Sequence, residues 1–226
     1  MSGAEDRHTR LLAAANPRRA SAPDAGELAD FFTSAFMTDP VFDWIARPGE
    51  QRAAGLRRFF LWLLRVRAIP FGEVWMAGGG SAAAVWLPPG VPASPGGVIA
   101  QLRLVPMFVS LCGFPRLLRG SAMADAMEKN HPHDAHFYLA FIAVAPSLRG
   151  MGLGSAIMEA TLQRVDARGA AAYLENSNPK NTPLYERHGF VRQKNIAPRD
   201  APPLIAMWRP AQPGQIANQG SSSLSQ

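Results

Sequence analysis

The sequence predicts an α/β domain, a single sheet flanked by helices. Three observations carry this. From Ala135 onward, strand-length apolar runs and helix-like segments follow one another in the order β-α-β-α-β-β. The run AHFYLAFIAV, Ala135–Val144, is long and apolar enough to be a central strand. Glycine and proline clusters punctuate the boundaries, with Gly78–Gly80 reading as a tight turn and Pro88-Pro89-Gly90 as a strand stop.

Taken in order, residues 1–22 are rich in Ala, Arg and Pro and predict a loose N-terminal segment. Residues 23–210 read as one domain, and 211–226 as a disordered tail. Pro23–Phe36 predicts a helix with Asp24 near its start and Leu28, Phe31, Phe32 and Phe36 on its apolar face. Thr38-Asp39-Pro40 ends it, and a second helix is predicted from about Glu50 to Ala68. GEVWMAGGGSAAAVWLPPG reads as two strands around the glycine turn. Residues 95–130 form a helical insertion, broken near Gly113–Pro115, ahead of the central strand. After that strand come a glycine-rich loop, a helix to about Arg168, a strand at Ala170–Glu175 and a short helix at Asn181–His188. Strands at Phe190–Lys194 and Leu204–Trp208 complete the pattern.

Composition narrows the function. The 226 residues carry a formal net charge of +6, but the cations are scattered, with no dense basic run and no aromatic–basic interleaving. Nucleic acid is therefore not an expected partner. Cys112 is the one cysteine, which excludes an internal disulfide framework and a Cys-rich metal site, and fits a reduced, cytoplasmic setting. No secretory leader is visible. The apolar stretch Leu56–Phe71 contains Arg57, Arg58, Arg65 and Arg67, and Val98–Leu118 contains Arg103, Arg116 and two prolines. Neither offers the roughly 18 clean apolar residues of a membrane span, so no membrane association is expected.

The segment RGMGLGS, Arg149–Ser155, places three glycines between the central strand and the next helix. The first N–H groups of a helix lack internal acceptors, and its dipole favours negative charge there, so such a turn suits an anion. A phosphate-binding P-loop needs a lysine after its last glycine; here Gly154 is followed by Ser155. A dinucleotide loop needs G-x-G-x-x-G, whereas this one is G-x-G-x-G. Glu175 lies 21 residues after Gly154, where a ribose-binding acid could sit, but the loop comes late in the chain. The third pattern is R-x-x-G-x-[GA], which Arg149-Gly150-Met151-Gly152-Leu153-Gly154 matches.

That pattern, after a strand ending Ile142-Ala143-Val144, resembles the acyl-CoA pyrophosphate loop of the GCN5-related N-acetyltransferase (GNAT) family. A second motif agrees. In YLENSNPKNTPLYERHGF, Asn181, Tyr185, Gly189 and Phe190 fall where that family places an asparagine, a tyrosine four residues on, and a Gly-Phe pair opening a strand. The i to i+4 spacing puts Asn181 and Tyr185 on one helical face. The resemblance spans about residues 70–210 and is specific over 136–190. LENSNPKNTPLYERHGF, with AVWLPP upstream, is most similar to puromycin N-acetyltransferase-like members. The resemblance implies a mixed, mostly antiparallel sheet with splayed strands at the central position. It implies acetyl-CoA as co-substrate, held by the edge of Ile142, Ala143 and Val144, by Arg149, Gly150, Met151, Gly152, Leu153, Gly154 and Ser155, and by Asn181 on the pantetheine arm. Tyr185 is then placed beside the thioester sulfur, and the acceptor is an amine of a small molecule.

Such a reaction must deprotonate the amine. At a pKa near 10.4 this costs roughly 4–5 kcal/mol at neutral pH, so a base is needed. Glu175 is the first candidate. His136 and Tyr138, which share one strand face, and a water chain are alternatives, since the central strand lacks the acid that many family members carry there. Tyr185 is the candidate acid for the leaving thiolate. Cys112, in an apolar helical stretch, reads as a buried thiol rather than an acyl-enzyme nucleophile. His131-Pro132-His133-Asp134 reads as a loop rather than a metal site, and no metal is expected. Phe31, Phe36, Asp39, Phe42 and Trp44 are candidates for the acceptor wall, although core packing is the readier reading of each aromatic and Asp39 could equally form a turn. The insertion at 95–130 could lid the acceptor pocket or form a homodimer face. Two other readings are an acyl-CoA sensor of the same fold without turnover and a dinucleotide-dependent oxidoreductase.

Overall fold

The computed structural model describes residues 3–91, 98–198 and 200–212. Its strands are β1 (Arg18–Arg19), β2 (Val74–Met76), β3 (Ala82–Leu87), β4 (His136–Val144), β5 (Ala171–Asn176), β6 (Val191–Ile196) and β7 (Leu204–Arg209). Its α-helices are α1 (Gly3–Ala15), α2 (Ala25–Phe36), α3 (Pro40–Ile45), α4 (Gln51–Trp62), α5 (Val98–Asn130), α6 (Leu153–Asp166) and α7 (Thr182–Arg187). The strands form a seven-stranded sheet in the order β1-β2-β3-β4-β5-β7-β6. The predicted central strand, β4, is its middle strand. Only β4 and β5 pair in parallel, because helix α6 carries the chain back across the sheet between them. The other neighbours are antiparallel. This is the mixed, mostly antiparallel sheet expected of a GNAT fold, and it is unlike the parallel sheet of dinucleotide-binding folds.

Side-chain alternation along the strands gives the sheet two apolar faces. Tyr138, Tyr173 and Ala206 face the helices α2, α3, α4 and α5, whose Phe32, Phe42, Phe60 and Leu111 complete one core. Phe137, Leu139, Ala172 and Leu174 face α6, α7 and α1, where Ile157, Leu162, Tyr185 and Ala14 complete the other.

Two expectations are corrected. The N-terminal segment is ordered from residue 3: α1 lies along α6 with Ala14 fully buried, and β1 pairs with β2 at the sheet edge. Its isolated apolar pattern is weak, and tertiary packing supplies what local propensity lacks. Asp39 does more than end a helix. Its Oδ1 accepts from the Val41 and Phe42 amides at 3.0 and 3.1 Å, and with Pro40 at the first position it starts α3. The tail beyond 212 and the first residues of the insertion, 95–97, lie outside the described residues.

The insertion is α5, which turns sharply at Gly113 (φ 66°, ψ 163°). Cys112 sits at this turn, 1% exposed, and burial pushes its thiol pKa up to about 11. It is therefore not a reactive thiolate. Helix α4 meets α5 through Gly55, where an added Cβ would lie 2.8 Å from the Ser110 carbonyl oxygen and 3.1 Å from the Leu111 Cα. No helix among the described residues is long and apolar enough to cross a membrane.

Because backbone atoms form that contact, they cannot rotate away from a new methyl group. Gly55→Ala is expected to cost about 1–3 kcal/mol of stability, read as a lowered urea midpoint; an unchanged midpoint would show that α4 and α5 are free to separate.

Candidate active site

The site begins at an irregularity in β4. Val85 pairs with Phe141 but Trp86 pairs with Leu139, so Ala140 is an extra residue, a β-bulge. At the same point β5 leaves: its pairing with β4 runs from His136↔Ala171 to Leu139↔Leu174 and stops. From Phe141 to Val144, β4 keeps β3 on one side and, among the described residues, has no strand on the other. Burial follows the pairing. Residues 136–139 are buried, while 140–144 are half-buried. Beyond the bulge, Ile142 and Val144 pack toward α6, and Phe141 and Ala143 toward α2. The result is a wedge between β4 and β5 with one strand edge of unpaired backbone groups.

The glycine loop closes the narrow path from β4 to α6. Gly150 and Gly152 adopt φ of 81° and 89°, a conformation costly to other residues. Gly152 is the N-cap of α6, so the Leu153 and Gly154 amides come before any intrahelical acceptor. A Cβ on Gly150 would meet nothing within 4 Å, which leaves open space above the loop. The Arg149 guanidinium donates to the Ala35 carbonyl at 2.8 Å, so this side chain ties the loop to the end of α2. The Ser155 hydroxyl is 2.8 Å from His188 Nε2 at the end of α7. Arg7, which sequence reasoning missed, donates from α1 to the Met151 carbonyl at 3.5 Å. Its signal is legible only once α1 is known to lie beside the loop.

Across the wedge stands α7. Leu184 and Val144 both approach Gly154, at 3.7 and 3.5 Å from where its Cβ would be. Asn181 precedes the helix rather than lying within it. It is the exposed N-cap residue, one turn before Tyr185. Tyr185 is 7% exposed and packs edge-on against Phe190. Burial, and then the nearby charge of Asp39, raise its phenol pKa well above the usual value. The phenol therefore stays protonated at neutral pH and can act as a donor. Two further polar residues, Asn176 and Ser177, build this corner. Asn176 is 2% exposed; its Nδ2 donates to the Thr182 hydroxyl at 3.0 Å and its Oδ1 accepts from the Asn178 amide at 3.1 Å. Ser177 donates its hydroxyl to the free oxygen of Asp39. Burial raises the Asp39 pKa, against the pull of these hydrogen bonds.

Glu175 lies on the other face of the sheet. Its side chain is 1% exposed and accepts hydrogen bonds from the hydroxyls of Tyr138, at 2.7 Å, and Tyr173, at 3.2 Å. Burial, followed by the Glu175 charge, raises both tyrosine pKa values far above normal. His136 shares this face but reaches Glu175 only through His131, whose Nε2 is 3.2 Å from His136 Nε2. The sequence-predicted pair, Tyr185 and Glu175, thus flank the wedge from opposite faces.

The candidate acceptor wall divides. Phe36 and Phe42 contact Phe141 of β4 at centroid distances of 5.4 and 6.4 Å, inside a cluster with Phe32, Phe59 and Phe60. They are core that also floors the wedge. Phe31 packs on Phe32, and Trp44 lies under the Arg119 guanidinium at 5.4 Å. Among the described residues, no group of three or more His, Cys, Asp or Glu could hold a metal ion.

Residues 118–190 match the model of the GNAT acetyltransferase family. An uncharacterized N-acetyltransferase of Schizosaccharomyces pombe is 26% identical over 188 residues, covering 79% of this chain and 75% of its own. A crystal structure from Corynebacterium glutamicum, described as a histone acetyltransferase HPA2 and related acetyltransferase, superposes with a TM-score of 0.66. It is 27% identical over 88% of this chain and 98% of its own. A polyamine N-acetyltransferase of Drosophila melanogaster shares the fold at a TM-score of 0.59 and 17% identity, over 85% of this chain and 97% of its own. Family model and structural neighbours together support the GNAT family, and with it an acyltransferase enzyme.

Gly152→Val would force a β-branched residue to positive φ and press its Cβ to 3.4 Å from Leu11 of α1, distorting the turn that starts α6. Acetyl-CoA is expected to bind at least about tenfold more weakly, by calorimetry, with the far-UV spectrum unchanged. Normal affinity would detach the loop from cofactor binding.

Proposed function

We propose that the protein transfers the acetyl group of acetyl-CoA directly to a primary amine of a small molecule. The observation that carries this is the wedge between β4 and β5, edged by unpaired backbone and ending at the glycine turn. The pantetheine amides would add to the free β4 edge at Ile142, Ala143 and Val144, as an extended ligand adds to a strand. The amides at the start of α6 would take the pyrophosphate. Asn181, at the exposed mouth of the wedge, would bond the pantetheine arm. These residues fit the co-substrate: a linear diamide with a doubly charged pyrophosphate matches a strand edge followed by a helix start.

The chemistry then divides between the two sheet faces. Glu175 would take the amine proton on the face of α2 to α5. Tyr185 would give its proton to the departing thiolate on the face of α6 and α7. Placing base and acid on opposite sides of the thioester keeps the two proton transfers from competing. The buried carboxylate would supply the acceptor, and positioned proton transfer is worth about 10²- to 10⁴-fold. The acceptor would enter beside Phe36, Phe42 and Asp39. The resemblance to puromycin N-acetyltransferase-like members rests on AVWLPP and LENSNPKNTPLYERHGF, and the polyamine enzyme shares only the fold. The acceptor panel should therefore hold puromycin, polyamines, agmatine and amino acids.

Two measurements test this reading. CoA release should be stimulated by at least one amine of the panel; tight acetyl-CoA binding with no acceptor consumed would make the protein a sensor instead. Tyr185→Phe should lower kcat by about 10²-fold or more while acetyl-CoA affinity stays within about twofold, and an unchanged kcat would remove Tyr185 from the reaction.

A further inference from the structure

Helix α1 reaches beyond the core that it covers. Arg7, Leu11 and Ala14 stand at spacings of four and three, so they share one helical stripe. Ala14 is fully buried, and Leu11 packs against the core that α6 completes. Leu11 Cδ2 lies 3.4 Å from where a Cβ on Gly152 would be, beside the N-cap of α6. Ala15 and Asn16 line a cleft with Ala160, Gln163 and Ala167, toward the other end of α6. The two helices therefore run in the same sense, and α1 begins first. From Gly3 to Leu11 the helix rises roughly 12 Å at 1.5 Å per residue, and this stretch overshoots the start of α6. Strand β1 then pairs with β2, which fixes the helix from its far end.

The overshooting turns carry Arg7 to the glycine loop. Where Leu11 meets the cap of α6, Arg7 one turn earlier meets the Met151 carbonyl. Its Nε reaches that oxygen at 3.5 Å, a long bond that leaves both terminal nitrogens without a partner among the described residues. Asp6, its neighbour in sequence, is already held by Arg10 at 2.8 Å. The Arg7 side chain is exposed, so its donors are available to a ligand. On the loop itself, a Cβ on Gly150 would meet nothing within 4 Å. The motif arginine, Arg149, turns its Nη2 to the Ala35 carbonyl at 2.8 Å. The first amides of α6 and a guanidinium with unspent donors thus belong to one loop. A phosphate suits both, because helix-start amides bond its oxygens and the planar fork of arginine matches two of them.

We propose that Arg7 is a further residue of the co-substrate site, a guanidinium that α1 brings to the phosphates of acetyl-CoA. This rests on the reading of the glycine loop as the phosphate end of that site. The contact is one of charge and hydrogen bonding, and no covalent bond forms or breaks in it. Its consequence is selectivity among acyl donors. A thioester whose carrier ends in phosphate groups is preferred over one with the same pantetheine arm and no phosphate. Arg7 acts on donor binding and does not touch the acetyl group. Helix α1 thereby belongs to the donor site as well as to the core against α6.

The test uses the full chain and calorimetry at low salt. Arg7→Gln should weaken acetyl-CoA binding about tenfold and flatten its dependence on salt. Acetyl-pantetheine, which carries no phosphate, should be used with the same kcat/KM by wild type and variant. Arg7→Lys keeps the charge but has no Nε to hold Met151, and it should retain most of the affinity. A loss in Arg7→Lys as large as in Arg7→Gln would make Arg7 a brace for the loop and overturn the phosphate contact. Arg10→Gln, on the same helix, should leave the affinity unchanged; an equal loss there would reduce the effect to general charge and overturn the assignment. Acetyl-dephospho-CoA identifies the phosphate. A loss in Arg7→Gln that persists with this donor supports a contact to the pyrophosphate, and one that disappears supports a contact to the 3′-phosphate. Unchanged acetyl-CoA affinity in Arg7→Gln, with a wild type that binds it, would overturn the role of Arg7 alone. A wild type that binds no acetyl-CoA would overturn the reading of the loop and the role of Arg7 with it.

Discussion

The parting of β4 from β5 is the constraint on which the rest of the site depends. A strand buried in mid-sheet would normally satisfy its backbone groups on both sides. β4 does so only up to Leu139. The extra residue Ala140 bends the strand just where β5 leaves, and the amides and carbonyls beyond it face a gap instead of a neighbour. Unpaired backbone in a half-buried position is unfavourable unless water or a ligand completes it. The free edge of β4 and the positive-φ glycine turn that follows it thus lie at one end of the same wedge.

A gap in a sheet needs its walls held apart, and polar cross-links between layers do this. Ser177 bonds Asp39, tying the segment after β5 to the start of α3. Arg149 bonds the end of α2, tying the glycine loop to the same helical layer. Ser155 meets His188, tying the first turn of α6 to α7. At the far end of α6, Arg209 bonds Asp166 through both terminal nitrogens and the His188 carbonyl through Nε, which anchors β7 beside α7. Each link joins elements distant in sequence, and together they position Tyr185 opposite the β4 edge. The phenylalanine cluster under Phe141 supports the same strand from below.

The fold was legible where the pattern was local. β3, β4, α6 and β5 coincide with apolar runs of the right length, and Gly113 breaks the insertion near the predicted place. α1 was not legible, because Leu11 and Ala14 become core only against α6. Nor was α3: Thr38-Asp39-Pro40 carries the same residues whether it stops one helix or starts another, and only the chain's path selects the second. In the site, the turn and Tyr185 were readable as motifs. The cage around Glu175 was not. Tyr138, Tyr173 and His131 come from two strands and a loop, and nothing in their spacing says that three side chains converge on one carboxylate.

The sequence by itself determined the class of domain, the glycine turn between β4 and α6, and the tyrosine one turn into the corner that follows β5. These depend on periodicity, backbone conformation and short-range spacing, all of which a single chain carries locally. The tertiary structure alone decided that Tyr185 and Glu175 lie on opposite faces of one wedge. It alone decided that Arg149 ties down the loop and that Tyr138 and Tyr173 enclose the Glu175 carboxylate. Those facts depend on strand register and on which layer each side chain enters. Register is a long-range property: one residue of slip would send Glu175 to the other face of the sheet.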